Sequence, residues 1–161
     1  MKRKLLFIVL LLMPMMLFST LVQAKTHDKF KTHLSVEAPG VETRGQGQAI
    51  FRVSPCGTAI YYKLIVANLE DVTMAHIHVA EVPGGDGPPV VWLYPNGPPS
   101  MEIPGRTQGT LASGIFMADK FVGPMEGDAM SDLIEAIMAG RAYVNVHTTE
   151  YPAGEIRGYL K

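Results

Sequence analysis

The stretch YVNVHTTEYPAGEIRGYL, residues 143–160, alternates apolar with polar side chains on both sides of a loop that contains proline and glycine. Val144 and Val146 occupy alternate positions before the loop, and Ile156 and Leu160 share one parity after it. Because successive side chains of a strand point to opposite faces, each arm has one apolar face and one polar face. The stretch therefore predicts an antiparallel hairpin whose apolar face packs on a core.

The polar face of this hairpin collects hydrogen-bonding and ionisable groups. A loop over residues 148–154 places directly opposed residues on one face, so they form either a solvated outer surface with ion pairs or a site. In the second case Glu155 is a candidate to accept a hydrogen bond from the His147 ring, or to ligate a metal itself. The opposed pairs are His147 with Glu155, Asn145 with Arg157, and Tyr143 with Tyr159.

Short alternating runs, separated by glycine and proline, continue through most of the chain. Seven or eight such runs predict an all-β fold, an antiparallel β-sandwich. Pro/Gly loops at 82–89 and 95–99 would shape its surface, and we expect Trp92 to pack in the core. The runs cover residues 34–38, 47–53, 58–68, 74–80, 90–94 and 107–116, followed by the hairpin.

One segment, DAMSDLIEAIMAGR at 128–141, has helical instead of alternating periodicity. We predict one short helix before the final hairpin, with Asp128 as the N-cap. Gly140 stands where a left-handed residue often ends a helix, and Arg141 suits the negative end of its dipole. The apolar stripe consists of Met130, Leu133, Ile134, Ile137 and Met138.

The beginning of the chain has the pattern of a secretory signal peptide. Three basic residues precede an unbroken apolar run over 5–12, and small residues follow. We predict a cleaved signal peptide over 1–24, a flexible leader over 25–32 and one domain over 33–161. The alternative is an uncleaved anchor, but proline and hydroxyl residues shorten the apolar stretch below a comfortable bilayer span. We therefore expect a secreted or periplasmic protein without a membrane span after cleavage.

Charge and cysteine content exclude several classes of protein. Removal of 1–24 leaves 11 basic against 15 acidic residues, and no basic patch is visible, so nucleic acid is not an expected partner. Cys56 is the single cysteine, so an internal disulfide cannot form. It lies in a Ser-Pro-Cys-Gly turn without a histidine nearby in sequence, which disfavours a catalytic thiol.

Three histidines are better candidates for chemistry. His76 and His78 are two residues apart in a strand-like run and therefore share a face, as two ligands of one metal would. His147 is a candidate third ligand from the hairpin. Three imidazoles suit copper or zinc better than calcium or magnesium. The alternative is that these are ordinary surface or structural histidines, since a His-x-His pair alone is a weak signal.

At these motifs the chain resembles the CHRD domain, the module repeated in chordin and found singly in many secreted microbial proteins. The resemblance rests on AHIHVAEVPGGDGPPVVWLY at 75–94 and AGRAYVNVHTTEYPAGEIRGYL at 139–160, and it extends over about 33–161. It implies an immunoglobulin-like or superoxide-dismutase-like β-sandwich. It implies little about activity, because fold kinship does not define function.

Two functions remain open. The favoured one is a non-catalytic binding or structural protein outside the cytoplasm, whose ligand is an extracellular protein or a surface polymer. The alternative is a mononuclear copper or zinc protein that uses His76, His78 and His147, with redox activity like that of superoxide dismutase. A dinuclear dismutase is disfavoured, because the chain lacks histidines for a second metal and the disulfide cannot form from Cys56 alone. The sequence does not define the oligomeric state.

Overall fold

The computed structural model describes residues 29–161, so the expected signal peptide and residues 25–28 of the leader lie outside the described part. Residues 29–32, which were predicted to belong to that leader, form the beginning of the first strand. The described strands are β1 (Lys29–Val36), β2 (Gln46–Val53), β3 (Ala59–Val79), β4 (Pro89–Tyr94), β5 (Ile103–Met117), β6 (Ala142–Thr148) and β7 (Ile156–Tyr159). The helices are α1 (Met130–Met138) and two short 3-10 helices, Ala118–Lys120 and Gly123–Met125.

The all-β class with one helix near the end is confirmed, but the strands form a closed barrel. Five strands make an antiparallel ring in the order β1, β2, β3, β6, β7. The ring closes where Ser35 and Val36 of β1 pair with Arg157 and Ile156 of β7. β4 and β5 pair with β3 outside the ring. The expected immunoglobulin-like or superoxide-dismutase-like sandwich of two separate sheets is therefore wrong.

The barrel closes because one strand belongs to both of its sides. The runs predicted as separate strands at 58–68 and 74–80 are continuous in β3, which pairs first with β2 and then with β6. Five straight strands cannot be antiparallel at every pair of a ring, because five is odd, so the ring needs a strong bend. Asn68 and Asp71 lie between the two halves of β3 with φ angles of 58° and 47°. Such left-handed residues let a strand turn from one side of a barrel to the other.

The apolar side chains at alternate positions of each ring strand fill the interior of the barrel. Leu34, Phe51, Ile77, Val144 and Ile156 come from the five ring strands in turn, and each is at most 1% exposed. Burial of each such side chain stabilises the fold by about 1.5–3 kcal/mol. The predicted apolar face of the final hairpin is confirmed, since Val144, Val146, Ile156 and Leu160 are all fully buried.

The predicted helix is confirmed, but its first turn differs from the prediction. Ala129 is the N-cap instead of Asp128, and the Asp132 carboxylate accepts a hydrogen bond from the Ala129 N–H at 2.8 Å. Gly140 has the expected left-handed φ of 69°, and β6 begins at Ala142. Among residues 29–161, no helix has the length and apolar character needed to cross a membrane.

Candidate metal centre

The three candidate histidines converge on the outer face of the barrel. His76 and His78 of β3 lie opposite Asn145 and Tyr143 of β6, and His147 lies two residues beyond Asn145 on the same face. The pairs predicted across the final hairpin, Asn145 with Arg157 and Tyr143 with its partner in β7, are also present. One ring nitrogen from each histidine lies within 4.8 Å of the other two. The barrel therefore brings together residues that are far apart in sequence.

Two loops bury this face, so it is not a solvated surface. The loop that joins β3 to β4 brings the Gly87 carbonyl to 2.9 Å from His78 Nδ1. The loop of the final hairpin brings the Pro152 carbonyl to 2.9 Å from His147 Nδ1. The exposed fractions of His76, His78 and His147 are 3%, 7% and 6%. Backbone carbonyls thus hold two of the three rings in fixed orientations.

The hydrogen bonds define which ring nitrogens carry lone pairs. Nδ1 of His78 and of His147 must donate to the carbonyls, so the neutral rings keep their lone pairs on Nε2. His76 Nδ1 lies 3.2 Å from His147 Nε2 and donates to it. The Nε2 atoms of His76 and His78 are buried without a hydrogen-bond partner among the described residues. Unpartnered buried lone pairs of this kind are what a metal ion would accept.

Burial keeps all three imidazoles neutral at physiological pH. It lowers the pKa of His76 to about 3, and repulsion from His147 and His78 adds to the effect. Burial likewise lowers the pKa of His78 to about 4, although the hydrogen bond to Gly87 opposes the change. The pKa of His147 is lowered for the same reason, with the Pro152 carbonyl opposing. Neutral imidazole is the form that binds metal.

Aromatic rings enclose the histidines on two sides. Trp92 of β4 approaches the His76 ring edge-on, with centroids 4.3 Å apart. The Tyr143 ring stacks on His78 at 4.8 Å with 14° between the planes. Trp92 is half-buried on this outer face, so its expected place in the hydrophobic core is wrong. Neither ring was predicted to contact these histidines, because the contacts arise only from cross-strand pairing.

The β3–β4 loop can lie this close only because it has glycine at position 87. A Cβ built on Gly87 would lie 2.0 Å from the backbone carbonyl oxygen of Val79. The Tyr143 hydroxyl donates to the Gly87 carbonyl at 3.2 Å, and the Tyr159 hydroxyl donates to the Gly85 carbonyl at 2.8 Å. The loop's backbone is therefore fastened to the two tyrosines that were predicted to face each other.

Glu155 lies near the histidines but supports the surrounding loops, whereas the Asn145 Oδ1 atom is buried without a hydrogen-bond partner among the described residues. The Glu155 carboxylate accepts hydrogen bonds from Thr148 Oγ1, at 2.7 Å, and from the Thr43 hydroxyl. It supports the hairpin loop beside His147, whose Nδ1 is engaged by Pro152. The Asn145 amide lies under Gly154, where a Cβ would approach its Nδ2 to 2.5 Å.

Arg157 fastens the β3–β4 loop from the other side. Its Nη1 lies 3.2 Å from the Glu37 carboxylate and also forms an ion pair with Asp86 of that loop. The guanidinium lies 5.3 Å from the Tyr143 ring centroid and 5.6 Å from that of Tyr159. Burial raises the pKa of Glu37, and the Arg157 charge partly offsets that effect. Arg157 thus compensates a half-buried carboxylate and does not join the histidine group.

We expect Arg157→Gln to destabilise the domain by about 1–3 kcal/mol at pH 7, because it leaves the Glu37 carboxylate half-enclosed without its cation. Urea unfolding would measure the loss. The double variant Arg157→Gln/Glu37→Gln should recover part of it, since no buried charge remains. Arg44→Gln, which removes a cation at an exposed position, serves as the control. Equal small losses in the Arg157 and Arg44 variants would contradict the role of the ion pair.

Comparison with known proteins gives one match. The sequence model of a protein family described as the CHRD domain matches residues 30–160, nearly all of the described chain. Neither the curated proteins nor the solved structures that were compared gave a match.

Proposed function

We propose that this chain, which belongs to the CHRD domain family, binds one copper or zinc ion through His76, His78 and His147. The observation that carries the proposal is the convergence of three neutral imidazoles, each with a nitrogen within 4.8 Å of the other two. Two of these rings have buried Nε2 atoms without a partner among the described residues. Left unsatisfied, each such atom destabilises the fold, whereas a bound ion would satisfy it.

The donor set favours copper or zinc over hard cations. Imidazole nitrogen suits zinc and copper, whereas calcium and magnesium need several oxygen ligands. The Glu155 carboxylate, the nearest candidate oxygen ligand from the sequence, is engaged by two threonine hydroxyls. The carbonyls of Gly87 and Pro152 orient His78 and His147 as outer-shell acceptors commonly orient metal-binding histidines.

The spacing of the rings requires only a small adjustment. Metal–nitrogen bonds of about 2.0–2.1 Å place two ligand nitrogens about 3.3 Å apart in a tetrahedral site. The 3.2 Å between His76 Nδ1 and His147 Nε2 is already of that size. A metal that takes the His147 lone pair would replace the hydrogen bond between these two rings. Binding through the His76 Nε2 lone pair would leave the ring proton on Nδ1, whereas binding through Nδ1 would require that proton to move to Nε2.

The burial of the three imidazole rings favours metal binding over catalysis as the function. None of the three histidines is more than 7% exposed, so a bound ion would be reached by small molecules only. We place this function outside the cytoplasm on the basis of the signal-peptide pattern at 1–24. Redox activity like that of superoxide dismutase is the second candidate, and it is favoured by the His-x-His pair with a later third histidine.

Elemental analysis of the protein, purified after export of the whole chain, tests the proposal. We expect one copper or zinc ion per chain in the wild type when both are offered, because the three ligands are preformed. His78→Gln and His147→Gln should lose it, while His33→Gln, at an exposed position of β1, should keep it. A folded wild type that takes up neither metal would overturn the proposal, as would histidine variants that retain the ion.

A further inference from the structure

A second surface of the barrel concentrates positive charge. The first half of β3 pairs with β2 on one side and with β5 on the other, and β1 completes this side of the barrel. The inward-facing side chains of these strands are buried, and the outward-facing ones include exposed cations. We call this outward surface the basic face. Its cations are Lys29 and Lys31 of β1, Arg52 of β2 and Lys63 of β3.

The register places these cations side by side. Lys29 pairs with Arg52, and Lys31 is separated from Lys63 by Ile50 alone. Strands are about 4.8 Å apart, so the four charges lie within a few strand widths. Among the described residues, the ion pairs within 4.0 Å all involve Arg157. None of the four cations of the basic face therefore has an ion-pair partner within that distance among residues 29–161.

The basic face also exposes large apolar side chains. Tyr61 pairs with Arg52 on one side and with Ile115 of β5 on the other, so these three form one row. Tyr61, Ile115 and Met117 are 51%, 54% and 51% exposed, and Ile50 among the lysines is 41% exposed. A single exposed apolar residue needs no explanation. Four of them interleaved with unpaired cations on one surface indicate a partner that is both anionic and apolar.

We propose that the basic face docks on the surface of an anionic lipid bilayer. Lysine and arginine would contact lipid phosphates, while the tyrosine and aliphatic side chains would enter the boundary between headgroups and acyl chains. A hydrated soluble polyanion would neutralise the cations but would leave the apolar side chains exposed to water. The bilayer satisfies both, and this inference does not depend on the histidine site.

The apolar segment that precedes the domain in the sequence supports a membrane as the partner. Lys29, the first described residue, lies on the basic face. Only residues 23–28 separate it from the mostly apolar segment that begins at Leu5, a link of at most about 20 Å. Any stage at which that segment is held at a membrane would keep the basic face near the same membrane.

Vesicle co-sedimentation of the exported, purified protein tests the proposal. We expect binding to phosphatidylcholine vesicles that contain phosphatidylglycerol, weakened by salt, and no binding to phosphatidylcholine alone. Lys31→Gln/Lys63→Gln should weaken binding about 25-fold at low ionic strength, since each cation near an anionic membrane contributes about fivefold. Arg44→Gln/Lys120→Gln, which removes the same charge at exposed positions outside the basic face, should change it by less than about twofold.

A third variant separates a bilayer from a soluble polyanion. Tyr61→Ser/Ile115→Ser keeps every charge and should also weaken vesicle binding. If this variant binds as the wild type does, and polyphosphate displaces both from vesicles, the face recognises phosphate charge and the bilayer proposal fails. It also fails if the wild type ignores anionic vesicles, or if the two double charge variants lose binding equally. All substituted positions are exposed, and circular dichroism would verify that each variant folds.

Discussion

Acidification from pH 7 to pH 5 is expected to remove about 4 kcal/mol of folding free energy from the metal-free protein. Burial lowers the pKa of His76 to about 3 and that of His78 to about 4 in the folded state, whereas an unfolded histidine has a pKa of about 6.5. Between these values the unfolded chain binds more protons than the folded one, so stability falls as the pH falls. Each of the two histidines contributes about 2 kcal/mol over this range.

The direction of this effect is fixed by the neutral state of the rings. The contribution is complete above pH 6.5 and is lost as the pH falls toward the lowered pKa values; His147, whose pKa is also lowered, adds in the same sense. A loss of about 4 kcal/mol is a large share of the 5–15 kcal/mol by which a domain is usually stable. We therefore expect the free energy of unfolding of the metal-free protein to be much lower at pH 5 than at pH 7.

Urea unfolding at several pH values, with chelator present, would measure this dependence. His76→Phe/His78→Phe should have a much flatter profile between pH 7 and pH 5, because its unfolded state no longer takes up those two protons. His33→Gln, with its substitution on the exposed face of β1, should keep the wild-type profile. If the phenylalanine variant and the wild type lose stability in parallel, carboxylates and not the buried histidines dominate the acid response.

Gly158→Ala is expected to open the barrel at its closure and to destabilise it by about 3 kcal/mol or more, at or above the usual range for overpacking. Gly158 lies in β7, and a Cβ there would be 2.2 Å from the backbone carbonyl oxygen of His33 and 2.4 Å from Thr32 Oγ1. The threonine side chain can rotate away. The His33 carbonyl belongs to the backbone of β1, so the whole strand would have to shift from β7.

Gly114→Ala is the matched control for this substitution. Gly114 also lies within a strand, β5, but the nearest atoms to a Cβ there belong to the Tyr62 side chain, at 3.2 Å, and not to the backbone of a neighbouring strand. We expect this variant to change stability by less than about 1 kcal/mol. Chemical denaturation of both variants, followed by circular dichroism, gives the comparison. Similar losses in the two would show that close approach of β1 to β7 is not what requires glycine at 158.

The sequence was sufficient to predict local features, because the two-residue period of a strand determines which nearby side chains share a face. Two of the predicted pairs of the final hairpin, Asn145 with Arg157 and Tyr143 with Tyr159, and the common face of His76 and His78 followed from parity. The helix at Met130–Met138 followed in the same way from its apolar period. In each case the decisive residues lie within one or two elements.

The closure of the barrel and the burial of the histidines could not be predicted in this way. Parity assigns a residue to a face but does not say which distant strand lies beside it, so the pairing of Val36 with Ile156 was missed. The carbonyls of Gly87 and Pro152 that orient the histidines belong to the backbone, which carries no residue-specific signal. The Glu155 carboxylate, predicted to lie opposite His147, instead accepts hydrogen bonds from Thr148 at the end of β6 and from Thr43 in the β1–β2 loop.

The continuity of β3 has a consequence for how the molecule loses its structure. This one strand is hydrogen-bonded to four of the other six described strands, namely β2, β4, β5 and β6. None of these four strands can therefore detach without breaking its hydrogen bonds to β3, so we expect them to lose protection from hydrogen exchange together. The basic face and the histidine cluster lie on the two halves of the same strand. We therefore expect disruption of one surface to weaken the other, and the two to be lost in a single cooperative transition.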